Sequence, residues 1–403
     1  MGVLEAYILA TVTFVSATLV AEIFIFLYSH FKLRTCGAST NPLRINDRDF
    51  NSPSLSIIVP AYREGERLIH ALESLSALTY PKDRLQVILA LEPDDHETIT
   101  FLESIGVRCN VSSWISENTW RNMRVTIAFN QSGTKSKPAA INCALKHATG
   151  DIVAICDAED VFEPNIAAIA TSILEKDKLV AAVQFARLIH NPHEGGILTK
   201  AQQAQLVLST YYFAPAAAKF TGVPPLLGSG YFVYRHVLEG VGGWDPKAPT
   251  EDLELTLKLS KAGYKIVFVE APLVYTLAVT SVRGLFRQRE RWIRGMLLLT
   301  GRFLVQLKST WPLFIIYVLL PVAGLIGWSW LILGLVFGLN PILQLLMIPL
   351  FLSVLSYALK VLLSGGEVKT IPILIALEAI SELLAVYRLM TSPWKWTKTR
   401  CNE

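Results

Sequence analysis

Charge is scarce in this chain: 17% of its 403 residues are Asp, Glu, Lys or Arg, where a soluble domain carries about a quarter. Uncharged stretches long enough to cross a bilayer are therefore expected. The shortage is not that of a disordered chain, because 52% of the residues are hydrophobic. Cysteine is sparse and odd in number: Cys36, Cys109, Cys143, Cys156 and Cys401 stand far apart, with no close pair. That excludes a disulfide-stapled scaffold and suits a reducing compartment. The seven histidines have no metal-ligand spacing, which argues against a zinc site. No repeat of solenoid period and no low-complexity tract occurs, so a fibrous repeat is excluded. A net charge of only +4 argues against a dedicated nucleic-acid binder.

What is present falls into three zones. Ala6 to Tyr28 is almost wholly apolar, and about 20 such residues span a bilayer. The basic flank His30-Phe-Lys-Leu-Arg34 places the following end in the cytosol and the N-terminus outside. Residues 1–30 thus read as an N-terminal transmembrane helix. A signal peptide fits less well, since the stretch exceeds an h-region and lacks a basic n-region and a small-residue cleavage site. Glu22 lies inside this span, either as a functional group or as a carboxyl facing other helices or a hydrated pocket.

Residues 51–300 read as a cytosolic α/β domain. Short β-rich runs (Leu55 to Val59, Leu85 to Leu91, Val125 to Ala128, Ile152 to Ile155, Val180 to Phe185, Lys265 to Val269) alternate with helical patterns such as Glu64 to Leu78 and Pro138 to His147. Alternation of this kind implies a mostly parallel sheet with helices on both faces, and ligands beyond the carboxyl ends of the strands. The third zone, residues 309–400, carries no charge from Trp311 to Leu359. Asn340-Pro341 breaks that run into two expected spans. Ser364 to Lys369 returns the chain to water. Ile371 to Met390 is interrupted by Glu378, Glu382 and Arg388, so an interfacial helix is preferred to a further span. The basic, Trp-bearing tail Trp394 to Arg400 suits the cytosolic interface. The chain is thus expected to be an integral membrane protein in contact with lipid.

The chemistry-bearing residues cluster where strands give out. Ser56 to Glu64 is a strand ending in a Pro-bearing loop. Leu89-Ala-Leu-Glu-Pro-Asp-Asp95 crowds Glu92, Asp94 and Asp95 at a strand end, where they are either solvated or available to a base or ribose. Lys137 opens the helix that continues to Asn142, a position suited to a phosphate or base as well as to water. Ile152-Val-Ala-Ile-Cys-Asp-Ala-Glu-Asp160 delivers Asp157, Glu159 and Asp160 together. Three carboxylates so close repel unless screened, and a hard divalent ion, Mg²⁺ or Mn²⁺, takes oxygen ligands and bridges to phosphates. In Trp244 to Asp252, Thr250 is placed to cap a helix whose first turn carries Glu251 and Asp252, and capping alone would account for that cluster. The basic stretch Arg283 to Arg294 holds Gln288-Arg-Glu-Arg-Trp292, either a positive-inside anchor or a diphosphate site with a stacked ring.

In this order the blocks Val-Pro-Ala-Tyr, Lys-Pro-x-Ala-x-Asn, Asp-Ala-Glu-Asp, Thr-Glu-Asp and Gln-x-x-Arg-Trp resemble the membrane-bound branch of the family-two glycosyltransferases. That branch contains cellulose, chitin and hyaluronan synthases and glycolipid-forming relatives; the likeness runs from about Leu55 to Trp292. The resemblance implies a GT-A-type mixed, mostly parallel sheet and an inverting transfer from a nucleotide-sugar, with UDP as the family's nucleotide. It also implies that Glu92, Asp94, Lys137 and the loop at Ala61 hold the nucleotide, and that Asp157 with Glu159 or Asp160 binds diphosphate and metal. By the same resemblance Asp252 is the general base and Glu251 beside it binds substrate, Gln288, Arg291 and Trp292 close on diphosphate and acceptor, and Gly228-Ser229-Gly230 lies beneath the acceptor. Two departures stand out: Asp157-Ala-Glu159 replaces Asp-x-Asp, and Glu92-Pro-Asp-Asp95 replaces the commoner Asp-Asp-Gly. A polymerase building a β-linked glycan is the first expectation. The second is a single-transfer glycolipid synthase using a lipid or polyprenyl-phosphate acceptor. With so few spans, a polymer channel would call for association into a homo-oligomer. From another class, a non-catalytic membrane scaffold or a carrier with a nucleotide-sensing domain is disfavoured, because the acids cluster outside the spans.

Overall fold

Strand β1 (Leu55–Ala61) shows the logic of the fold. Leu55, Ile57 and Val59 pack into one apolar cluster while Ile58 enters another, as the two-residue period of a strand requires. β2 (Leu85–Leu91) is buried at every position, the signature of a strand covered on both faces. Each fully buried Leu, Ile or Val contributes about 1.5–3 kcal/mol. The computed structural model describes residues 52–190, 194, 196–305 and 368–392, with single positions between 12 and 28 and at 310, 314 and 319.

The remaining strands are β3 (Ile115–Trp120), β4 (Met123–Phe129), β5 (Ile152–Ile155), β6 (Val161–Phe162), β7 (Val180–Ile189), β8 (Tyr231–Tyr234) and β9 (Lys265–Thr276). They form one nine-stranded sheet in the order β3-β4-β2-β1-β5-β8-β7-β9-β6. The helices are α1 (Leu68–Ser76), α2 (His96–Ser104), α3 (Lys137–Leu145), α4 (Ile166–Lys176), α5 (Gly196–Leu208), α6 (Ala214–Thr221), α7 (Arg235–Gly240), α8 (Glu251–Lys261), α9 (Val282–Leu298), α10 (Thr300–Val305) and α11 (Ile371–Thr391). α1, α2 and α4 cover one face through Leu72, Leu75, Leu102, Ile166 and Leu174. α3, α7 and α8 cover the other through Ile141, Leu238 and Leu255.

The expected α/β architecture, a mixed sheet with helices on both faces, is present, but parallel pairings do not predominate in it. Four pairings, β1 with β2 and β5, β2 with β4, and β7 with β9, are parallel, and the other four are antiparallel. The strands that introduce the antiparallel pairs, β3, β6 and β8, were not expected. β6 and β8 are too short to show a period, and β3 (Ile-Ser-Glu-Asn-Thr-Trp) is a polar, half-exposed edge. The helix expected over Glu64 to Leu78 begins as a separate 3₁₀ turn at Gly65–Arg67, where Gly65 has φ +53°.

α11 packs along α9, where Arg388 pairs with the buried Glu290 at 3.3 Å and Arg294 bonds the carbonyl of Ser392. No helix among the described residues is long and apolar enough to cross a membrane. Apart from single positions at 314 and 319, the spans expected within residues 311–359 lie outside the described residues, as do Glu22, the tail from Trp394 and much of the span expected between Ala6 and Tyr28.

Candidate active site

Four segments meet at the carboxyl end of β5. Ser136 caps α3 by accepting from the Ala139 N–H, which fixes Lys137 in the first turn. The Lys137 Nζ lies 2.7 Å from Asp157 Oδ1 and 3.1 Å from Glu251 Oε1 and donates to the Gly228 carbonyl at 3.0 Å. One ammonium thus joins the β5 tip, the start of α8 and the loop before β8. Desolvation alone would lower its pKa, but Asp157 and Glu251 outweigh it and hold the amine firmly protonated.

Asp157 also donates its backbone N–H to Ser229 Oγ at 2.9 Å. Gly228, at φ +80°, is where the loop passes the acids: a Cβ there would lie 3.4 Å from Asp252 Oδ2 and 3.9 Å from Lys137 Nζ. Asp252 is therefore at the β5 tip, half-buried, its Oδ1 accepting from the Leu253 N–H at 2.8 Å. Desolvation, helped by the charge of Glu251, pushes its carboxyl up to about 7, against the opposing pull of Lys137, the Leu253 N–H and Arg291.

Asp160 is placed differently from the sequence expectation. It has no accessible surface, and both its oxygens lie 3.0–3.1 Å from Arg187 Nη2, beneath the tip rather than on its open side. Asp157 and Glu159 are the two acids of this group that reach the surface. Arg187, on β7, was not singled out from the sequence. Its Nη1 donates to the Leu227 carbonyl at 2.5 Å, Nη2 stands 3.8 Å from Asp157, and its buried Nε has no partner among the described residues. A lone arginine in a strand carries no local signal; only the antiparallel placement of β7 and β8 brings it here.

On the neighbouring loops, Glu92 is buried and accepts from Asn130 Nδ2 at 2.8 Å; desolvation raises its pKa although Asn130 opposes the shift. Asp94 is exposed and pairs at 2.6 Å with Lys135, which in turn sits 4.3 Å over the Tyr62 ring. Asp95 caps α2 through Thr98 and accepts from the Arg63 N–H, so it is a structural acid. Ala61, at the end of β1, is buried. Asn130 and Lys135 were also missed, since neither lies in a recognisable block.

α9 brings Gln288, Arg291 and Trp292 together. Trp292 is 37% exposed and has the Arg289 guanidinium 4.3 Å over its ring. The Arg291 Nε is buried without a partner among the described residues, and its charge reaches Asp252. Thr250 occupies the N-cap position of α8 but makes no capping bond, so capping does not account for this cluster. α8 is instead held by the buried Glu254, which pairs with Arg302 of α10 at 2.5 Å and with Lys258 at 3.3 Å.

Residues 53–295 match the model of the family described as Glycosyltransferase like family 2. The chain belongs to that family. It is an enzyme of the glycosyltransferase class. Among its relatives, the beta-monoglucosyldiacylglycerol synthase of Trichormus variabilis is 27% identical over 243 residues, 60% of this chain and 49% of that protein. The cellulose synthase catalytic subunit [UDP-forming] of Xanthomonas axonopodis pv. citri is 26% identical over 247 residues, 60% of this chain and 31% of that protein. The chain thus spans about half or less of the length of these relatives. In fold, this family 2 glycosyltransferase is similar to the mannosyltransferase PcManGT from Pyrobaculum calidifontis, solved with GDP-Man and Mn²⁺. The TM-score is 0.62 at 19% identity, covering 94% of this chain and 99% of that one.

Four carboxylates (Asp157, Asp160, Glu251, Asp252) face three cations (Lys137, Arg187, Arg291) around the tip, so the cluster has an acid excess. No group of three or more acidic, His or Cys side chains converges as a metal cage among the described residues. Two hard oxygen donors at the surface, Asp157 and Glu159, fit an ion that completes its shell with phosphate oxygens and water.

Proposed function

We propose that the enzyme transfers one sugar, with inversion, from a nucleotide-sugar to the hydroxyl of a lipid-borne acceptor at a membrane surface. The observation that carries the reading is the meeting of Asp252 and Arg291 with Lys137 and Asp157 at one strand tip. It supports a proton acceptor and countercharge for the departing diphosphate within one site. Glu92, Asp94, Ala61 and the Tyr62 ring would bind the nucleoside, and Lys137 and Arg291 the diphosphate. Gly228, Ser229 and Gly230 would underlie the acceptor, Gln288 and Trp292 would close over it, and Glu251 would hold Lys137.

Asp157 and Glu159 would hold Mg²⁺ or Mn²⁺, which when bound neutralises charge on the diphosphate. Asp252 takes the proton of the acceptor hydroxyl as its oxygen bonds to the anomeric carbon and the diphosphate leaves from the opposite side. A single carboxylate base and in-line attack give inversion, so an α-linked donor yields a β-linked product. Lys137 and Arg291 stabilise the leaving charge in a setting prepared before reaction.

A lipid-borne acceptor is favoured over a growing glycan by the helices that carry and brace the Gln-x-x-Arg-Trp segment. They present large apolar side chains outside the core: Val282 and Leu298 on α9, Leu304 and Val305 on α10, Tyr387 and Met390 on α11. Exposed apolar surface of this kind suits a lipid interface. The glycan reading stays as the second, supported by the similarity to cellulose synthase. Membranes containing the protein are incubated with radiolabelled UDP- and GDP-sugars and Mn²⁺. Label in the lipid extract is expected; label in insoluble, high-mass product would favour the polymerase, and no transfer from any donor would remove the proposal.

A further inference from the structure

α9 crosses the loop before α8 at a single glycine. A Cβ built on Gly295 would stand 2.6 Å from Thr250 Cγ2, 3.1 Å from Thr250 Oγ1 and 3.1 Å from Pro249 Cβ. Carbon atoms rest at about 3.5–4.0 Å, so an alanine here forces a retreat of about 1 Å. Thr250 cannot turn aside. Its side chain is β-branched and buried, and each staggered χ1 rotamer leaves the methyl or the hydroxyl in at least one of the two positions that crowd the glycine. Two further observations point the same way. Glycine inside a helix is disfavoured relative to alanine and asks for a packing reason. The Thr250 hydroxyl, at the N-cap position, makes no cap bond and has no partner among the described residues.

We infer that Thr250 and Gly295 form a steric stop that sets how closely the basic face of α9 approaches Asp252, and that both are positioning residues for the transfer step. Gly295 lies one turn beyond Arg291 and Trp292, and Thr250 lies two residues before Asp252. Contact at this pair therefore fixes the spacing of the two groups of opposite charge. The inference rests on the proposed role of Asp252 as base.

The test uses the full-length protein in detergent or membranes, with Gly295→Ala, the double variant Thr250→Ala/Gly295→Ala, and Asp252→Asn as control. A shift of 1 Å costs about 10²-fold in rate. Gly295→Ala is therefore expected to lose about that much kcat, with a smaller rise in its KM for donor as Arg291 draws back from the diphosphate. The acidic limb of its pH–rate profile should also move to higher pH, because the Arg291 charge that favours the Asp252 carboxylate has receded. The double variant, with the obstructing Thr250 atoms removed, should regain at least tenfold. Wild-type kcat in Gly295→Ala, or no recovery in the double variant, overturns the stop. If Gly295→Ala does not fold, the double variant still decides, since failure of both overturns the stop and recovery of folding and turnover in the double supports it. Full transfer by Asp252→Asn would instead overturn the base assignment, so the two failures are told apart.

Discussion

The Arg187 guanidinium lies 3.0 Å from Asp160 in a pocket where that carboxylate has no accessible surface. Desolvation raises the Asp160 pKa and Arg187 pulls it back, so the ion pair keeps a buried charge in place under the β5 tip. Removing one member of such a pair costs about 3–5 kcal/mol, because the other is left uncompensated. Arg187→Met should lower the unfolding midpoint strongly, and Arg187→Met/Asp160→Asn should recover much of the loss. Additive effects in a double-mutant denaturation cycle would show that the pair does not couple.

The pH dependence of transfer follows from Asp252. A base works only when ionised, and with its carboxyl up at about 7 the rate should rise with pH and level off above that value. Lys137→Gln removes a charge that favours the carboxylate, so the same limb should move to higher pH. The linkage to stability has the opposite sense. A carboxyl whose pKa is raised by folding binds its proton more tightly in the native state, so its contribution falls as pH rises from the unfolded value of about 3.9 toward 7. Asp252→Asn should thus lose about 10²–10⁴-fold in kcat while its thermal midpoint at neutral pH is unchanged or higher. Pre-steady-state turnover and thermal scans across pH 5–9 check both halves.

Much of this arrangement was legible in the sequence. β2 and β5 were placed at their observed ends, because apolar runs with charged residues close to both ends leave little freedom of register. Lys137, Asp157, Glu251 and Asp252, each at a strand or helix end, do meet. What was not legible came from long-range placement. Arg187 becomes a partner of Asp160 only after β8 is inserted antiparallel between β5 and β7. Asp160 and Asp157 are three residues apart and chemically alike, yet the turn after β5 sends one inward and leaves the other at the surface. No local propensity separates them.

That separation gives a prediction about the metal. Asp157→Asn and Glu159→Gln should each weaken Mn²⁺ binding in the presence of nucleoside diphosphate, read directly by the loss of free-ion paramagnetic signal. Asp160→Asn should leave that titration close to wild type and act on stability alone. A large loss of Mn²⁺ affinity in Asp160→Asn, with the fold intact, would return Asp160 to the ligand set.

Glu254 and Arg302 offer a graded comparison with the Arg187 pair. Glu254 is buried and Arg302 reaches it at 2.5 Å from α10, but Lys258 also stands 3.3 Å from the same carboxylate, and Arg302 itself is about half exposed. Loss of Arg302 therefore leaves Glu254 one cation and access to water, whereas loss of Arg187 leaves Asp160 neither. Arg302→Met should lower the unfolding midpoint by less than Arg187→Met, and the further change Lys258→Met should bring the deficit up toward it. Because Glu254 is on the same helix as Asp252, the Arg302→Met enzyme should also lose kcat before it loses donor binding, as α8 is held less firmly. Equal destabilisation by the two single arginine variants would show that solvent access and Lys258 do not relieve Glu254.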